Sequence, residues 1–207
     1  MILYLSVIIS CIIILSVLNI ALFLPMLELS AIQTIGIVIL TIVAELAING
    51  IFAWLVHSLP NKLFLPEHKF FKVNKKERKF YEKLGIKKWK DKIWELGGLG
   101  GFRKNKINDP NNPEYFTMCL IESNKGIMVH IVGIFVSFLC AFVYPAGFLT
   151  IGLPASIVGV ILNVLPILVL RYNIPKLQVA RERSIRLSKN NIKNNIVNTD
   201  EVISQKN

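Results

Sequence analysis

The first 61 residues contain no lysine or arginine: all 24 basic residues lie between Lys62 and Lys125 or between Arg171 and Lys206. Charge of either sign is scarce, at 18% of the 207 residues, and it is confined to a few stretches, which is not the pattern of a soluble globule. Cysteine is scarce too. Cys11, Cys119 and Cys140 are far apart, and two of them sit in apolar runs, so neither a disulfide framework nor a zinc-ligand spacing is present. Several enzyme signatures are missing: no GxSxG elbow, no HExxH, and no aspartate five residues after His57, His68 or His130. Serine-hydrolase, zincin and His-x4-Asp acyltransferase chemistries are therefore disfavoured.

What the chain does have is long apolar runs, with hydrophobic residues making up 53% of the total. Residues 2–24 form an uninterrupted run long enough to span hydrocarbon as a helix, without a basic n-region or a small-residue cleavage site. It reads as a retained helix, although an uncleaved signal anchor would look the same. A short link leads to a second span from Ala31 to about Val56, with Trp54 and His57 at its exit. A third span begins at Ile127, and a fourth, bent by Pro154 and Pro166, runs to Leu170. The expected fold is an all-α membrane protein with four transmembrane helices. Residues 1–60 hold helices one and two, 61–126 a basic amphipathic loop, 127–171 helices three and four, and 172–207 a basic tail, disordered from about 188. The two outer links, 25–30 and roughly 145–152, carry no lysine or arginine, while the loop has sixteen and the tail eight. By the positive-inside rule both termini face the cytoplasm of a multi-pass protein in a bacterial cell membrane.

The net charge of +11 could suggest nucleic acid, but both basic blocks abut apolar spans, where anionic headgroups are the nearest negative charge. The expected partner is membrane lipid, not nucleic acid. Within the loop Phe80 and Leu84, then Trp89 and Ile93, repeat at i, i+4 among lysines, as in short helices lying on a membrane surface. A GGLGGF run at 97–102 could present backbone N–H groups to an anion, though a glycine cluster is also an ordinary turn.

Two constellations could carry chemistry. Glu122 and His130 stand where the loop enters span three, and both are costly groups to place in a membrane. A neutral His130 could take a proton from a hydroxyl while its oxygen attacks a thioester; the alternative is a helix-end histidine bonded to a neighbouring span. On one continuous helix eight residues amount to roughly 12 Å of rise, too far for direct contact. Either Gly126 breaks the helix or Glu122 has another task. Glu45 and Asn49, one turn apart in span two, share a face and read first as a polar clasp between helices and second as an active-site lining.

From Pro60 onward ordered motifs appear: Pro60 with Lys62 and Phe64, KKWKDKIWELGGLGGFRK from Lys87 to Lys104, Glu122 to His130, Asn163, and RYNIPKL from Arg171. Together they resemble the glycosyl-4,4'-diaponeurosporenoate acyltransferase family, small bacterial membrane enzymes of the staphyloxanthin-type carotenoid pathway. The Glu-x7-His spacing is similar to that family's carboxylate, basic residue and histidine, with Lys125 where arginine is common and Ile127 where a second acid is usual. The resemblance implies esterification of a sugar hydroxyl on a glycosylated carotenoid acid by a fatty acyl chain, with acyl-CoA as donor substrate and no bound cofactor or metal. It implies His130 and Glu122 as catalytic residues, and Trp89, Lys90, Arg103, Lys125, Asn163, Arg171 and Asn173 as substrate-binding residues. Another glycolipid or isoprenoid acceptor, or a non-enzymatic protein binding anionic lipid or a partner, is the alternative. Oligomeric state is not legible.

Overall fold

In the computed structural model the backbone is described for residues 2–93, 109 and 111–204, and side chains for all of these except 2–4, 92 and 191–204. The chain is helical, with no strand among the described residues. Helix α1 (Ile2–Leu18) continues through a wide turn, Asn19–Phe23, and a last turn, Leu24–Leu27. Helix α2 (Ala31–Ser58) starts at a capping box, in which Ser30 and Gln33 satisfy each other's backbone N–H. Four helices among the described residues are long and apolar enough to cross a membrane, so the chain is a multi-pass membrane protein. Their outward faces stay apolar and open, as Ile13, Val17, Leu40 and Val43 illustrate, because lipid and not protein covers them.

After α2 the chain runs through short turns to α3 (Lys75–Lys83), capped by Asn74, and, past a left-handed Gly85, to α4 (Ile86–Trp89). These two helices do not simply float on a surface. Tyr81, Ile86 and Ile93 are buried against Val169, with Leu165, Leu168 and Tyr172 beside them, while Phe80 and Leu84 stay exposed. The apolar side of the loop thus finds a protein partner, and only part of the expected surface-lying face is left for lipid.

The third span differs from the sequence reading. Helix α5 runs Pro113–Cys140, fourteen residues earlier than an apolar start at Ile127, because Asn112 caps it and Pro113 suits its first turn. Glu122, Lys125 and His130 therefore share one unbroken helix, with no break at Gly126. After a tight turn, Pro145–Gly147, and a wide one, Phe148–Gly152, helix α6 runs Leu153–Ser204 with Pro166 and Pro175 inside it. The backbone of α6 is described as helical to Ser204, past position 188, from which the tail is expected to be disordered. Helices α5 and α6 form the most extensive helix pair, α2 packs on α5, and α1 closes the bundle against α2 and α6.

Candidate active site

Polar side chains inside the bundle are costly and need partners, so their placement marks what the bundle is built around. Glu45 and Asn49 from α2, His130 from α5 and Asn163 from α6 line one cleft of about 150 Å³, whose other walls are apolar side chains such as Ile8, Ile42, Leu46 and Val158. Depth follows from helix geometry. His57 on α2 and Glu122 on α5 approach to 3.7 Å at the loop end of the bundle. Asn49 and His130 each lie eight residues inward from that pair, roughly 12 Å along their helices, which sets them at one level. Glu45 lies a turn deeper.

His130 Nδ1 is 3.1 Å from Asn163 Oδ1, and Asn163 Nδ2 donates to the Gly159 carbonyl at 3.0 Å. The second bond fixes which way the amide faces: its oxygen points at the imidazole. An oxygen can only accept, so Nδ1 carries the proton and Nε2 keeps its lone pair. Nε2 takes no hydrogen bond among the described residues.

Glu45 Oε1 accepts from Ser137 Oγ at 2.5 Å, and Ser137 also reaches the Gly133 carbonyl at 2.9 Å. Glu45 is buried, and no ion pair among the described residues involves it. Close approach is bought with two glycines. A Cβ on Gly159 would overlap Glu45 Oε1 and come within 2.7 Å of Ser137 Oγ, and one on Gly133 would overlap Asn163 Oδ1 and stand 2.7 Å from Asn49 Oδ1. The sequence reading set Glu45 and Asn49 down first as a clasp; they also line the cleft that holds His130. Their i, i+4 spacing inside an apolar run was the available signal. Ser137, Gly133 and Gly159 carried none.

The remaining site residues read from sequence fall elsewhere. Glu122 does not reach His130. Its carboxylate stands 3.7 Å from Lys125 Nζ as well as from His57 Nε2, and Lys125 donates to the His57 carbonyl at 3.2 Å. Lys125 is only 6% exposed and lies over the Phe64 ring, while Asn124 donates to the Phe64 carbonyl at 2.8 Å. These bonds tie the end of α2 and the first turn of the loop to α5. Arg171 is occupied: it makes a bidentate pair with Glu77, with Nη2 to Oε2 at 3.0 Å, and donates to the Phe70 and Lys72 carbonyls at 3.1 and 3.4 Å. Trp89 packs in the loop cluster and donates to the Leu84 carbonyl, and Lys90 pairs with Asp91 at 3.6 Å. Asn173 is partly buried on α6 and does not line the cleft. Arg103 and the 97–102 glycine run lie outside the described residues.

The Arg171 cluster is strongly polarised. Burial alone would raise Glu77, but hydrogen bonds from Arg171 and Tyr81 outweigh it and hold the carboxyl below its usual range. Burial, and then its bond to Glu77, push the Tyr81 hydroxyl up to about 12.

A family model described as glycosyl-4,4'-diaponeurosporenoate acyltransferase matches residues 60–183. That stretch includes His130, Asn163, Glu122 and Arg171 but not Glu45 or Asn49. No curated protein and no solved structure matches the chain.

Proposed function

The chain belongs to the glycosyl-4,4'-diaponeurosporenoate acyltransferase family and is an acyltransferase; from that premise we propose that it esterifies a hydroxyl of a glycosylated carotenoid acid, with His130 as general base. The observation that carries this reading is the His130–Asn163 hydrogen bond, because it leaves Nε2 as the one imidazole nitrogen able to take a proton. The acceptor O–H gives its proton to Nε2 as its oxygen attacks the acyl carbonyl of a thioester. The carbon–sulfur bond then breaks, and the leaving thiolate takes the proton from the imidazolium. Asn163 is a positioning residue: it holds the tautomer and steadies the charged ring, as an orienting partner does in other histidine-based acyl transfer.

An acyl-CoA donor suits the exposed lysines of the loop, Lys75, Lys76, Lys79, Lys83, Lys87 and Lys88, which set a positive field for its phosphates. Glu122 and Lys125 position the loop against the bundle, and Arg171 anchors it to α6. The same basic loop supports a cytoplasmic position for this side of the bundle and, with an even number of spans, for both chain ends in a bacterial cell. The walls of the cleft that come from α1 and α2 lie outside the matched stretch, which favours another glycolipid or isoprenoid as the second reading of the acceptor.

The test is lipid and pigment extraction with mass spectrometry from a host making the glycosylated carotenoid acid, comparing the chain, His130→Ala and an empty vector. A new acyl ester lost in His130→Ala supports both acceptor and base. Product from both proteins removes His130 as base, and no product from a well-expressed chain removes this acceptor.

A further inference from the structure

We propose that Glu45 and Asn49 bind the hydroxyl groups of a polyhydroxylated, sugar-like head on the acceptor, so that the two helices outside the family match decide which acceptor the site admits. The inference rests on the acyl-transfer reading only in calling that ligand the acceptor.

The hydrogen-bond inventory of the cleft argues for it. Asn49 Nδ2 donates to the Glu45 carbonyl at 2.9 Å, Asn163 Nδ2 to the Gly159 carbonyl, and Ser137 Oγ to Glu45. His130 Nδ1 donates to Asn163. One hydrogen of each amide, the serine hydroxyl and the imidazole N–H are thus engaged within the bundle. The second hydrogen of each amide takes no acceptor among the described residues, and three acceptor positions stay open beside them. Glu45 Oε2, Asn49 Oδ1 and His130 Nε2 take no hydrogen bond among the described residues, and all three residues line the cleft. A ligand complementary to such a lining must bring groups that both donate and accept, as hydroxyls do, and it must bring more than one.

A thioester brings none, and a simple fatty alcohol brings one. A sugar ring brings several, set around a rigid frame, and can give one hydroxyl proton to His130 while others satisfy Glu45 and Asn49. The rest of the lining fits an amphiphile carrying that head: Ile8 and Leu46 make apolar walls at the same cleft, suited to the chain beyond the sugar. Gly133 and Gly159 show that the arrangement is specific, since any side chain there would displace Asn49, Asn163 or Glu45 from its place.

Discrimination by such groups is strong, because an analogue lacking the hydroxyls leaves buried acceptors unpaired. The probes are octyl glucoside, kept below its critical micelle concentration, and 1-octanol, which share a chain and differ in head. Retention of each by the full chain in lipid nanodiscs is measured beyond partition into empty discs, for the unaltered chain, Glu45→Leu, Glu45→Gln and Asn49→Ala. The same samples are given an acyl-CoA and assayed for ester.

The unaltered chain should prefer the glucoside by at least about tenfold, Glu45→Leu and Asn49→Ala should each lose most of that preference, and Glu45→Gln should keep part of it. A preference absent from the unaltered chain, or untouched by both Glu45→Leu and Asn49→Ala, overturns the proposal. Should Glu45→Leu fail to fold, as judged by helical circular dichroism and monodispersity, Asn49→Ala decides. Glucoside binding that depends on these residues without any ester removes the bound head as the acyl acceptor and leaves the binding site standing; ester formed with unchanged head preference in both variants does the reverse.

Discussion

The carboxylate of Glu45 occupies the space that a β-carbon on Gly159 would need, so α2 and α6 meet this closely because residue 159 has no side chain. Ser137 completes the contact from α5. Three helices are thereby registered on one another where the cleft opens.

Gly159→Ala should therefore push the Glu45 carboxylate aside and break its bond from Ser137, costing about 1 kcal/mol and lowering turnover, because the end of a flexible side chain gives way more cheaply than backbone would. Glu45→Ala in the same chain should recover much of the lost stability while leaving the acceptor defect. A thermal unfolding series in detergent on the two single variants and the double variant measures the coupling. Additive losses would mean that the two residues do not compete for space.

This contact also shows what the sequence could and could not reveal. Four spans, the basic loop and the family resemblance were legible, because hydropathy, charge asymmetry and ordered motifs are properties of the chain read in order. The partner of His130 was not. Glu122 is eight residues away and Asn163 thirty-three, and helix geometry put the near one out of reach while bundle packing brought the far one to 3.1 Å. Arg171 read as free charge for a substrate for a similar reason: nothing local announces that Glu77, ninety-four residues earlier, will clamp it. The apolar start at Ile127 falls inside α5 because the helix's first half carries Glu114, Glu122 and Lys125 and so makes no hydropathy run, although Phe116, Leu120 and Ile121 are buried there.

Asn163→Ala should lower kcat by roughly tenfold to a hundredfold with little change in KM, and His130→Ala should lower it by roughly a hundredfold or more. Steady-state assay of ester formation against acceptor concentration separates the two parameters. Of the two Asn163 variants, Asn163→Ala should lose more kcat than Asn163→Gln, whose longer amide keeps an oxygen that can accept from Nδ1. Equal KM increases without a kcat effect would turn Asn163 into a binding residue.

Glu122→Gln should change stability by less than about 1 kcal/mol, since its carboxylate is about one third exposed and its pairs with His57 and Lys125 stand at 3.7 Å. The catalytic rate should stay within about tenfold of the unaltered chain, because no bond joins this residue to His130. A loss as deep as that of His130→Ala would return Glu122 to the reacting centre.

The clamp between Arg171 and Glu77 gives the loop a pH dependence whose sign can be worked out. The Glu77 carboxyl is held low when folded, so its contribution is present above the ordinary carboxylate value of about 4.3 and is lost as pH falls through the lowered folded value. Tyr81 is raised, so its contribution is full below the ordinary value of about 10 and is lost as pH rises from there through about 12. Loop docking should thus hold across neutral pH and fail at both extremes. Trp89 reports it, since it packs in the cluster that seats the loop on α6, once Trp54 and Trp94 are replaced by phenylalanine. Glu77→Gln should move the acid limb and remove about 2–3 kcal/mol of docking free energy, as loss of hydrogen bonds to a charged group does, and Tyr81→Phe should abolish the alkaline limb. An acid limb unchanged in Glu77→Gln would place the docking energy in the apolar contacts of Tyr81, Ile86 and Ile93 with Val169 instead of in the clamp.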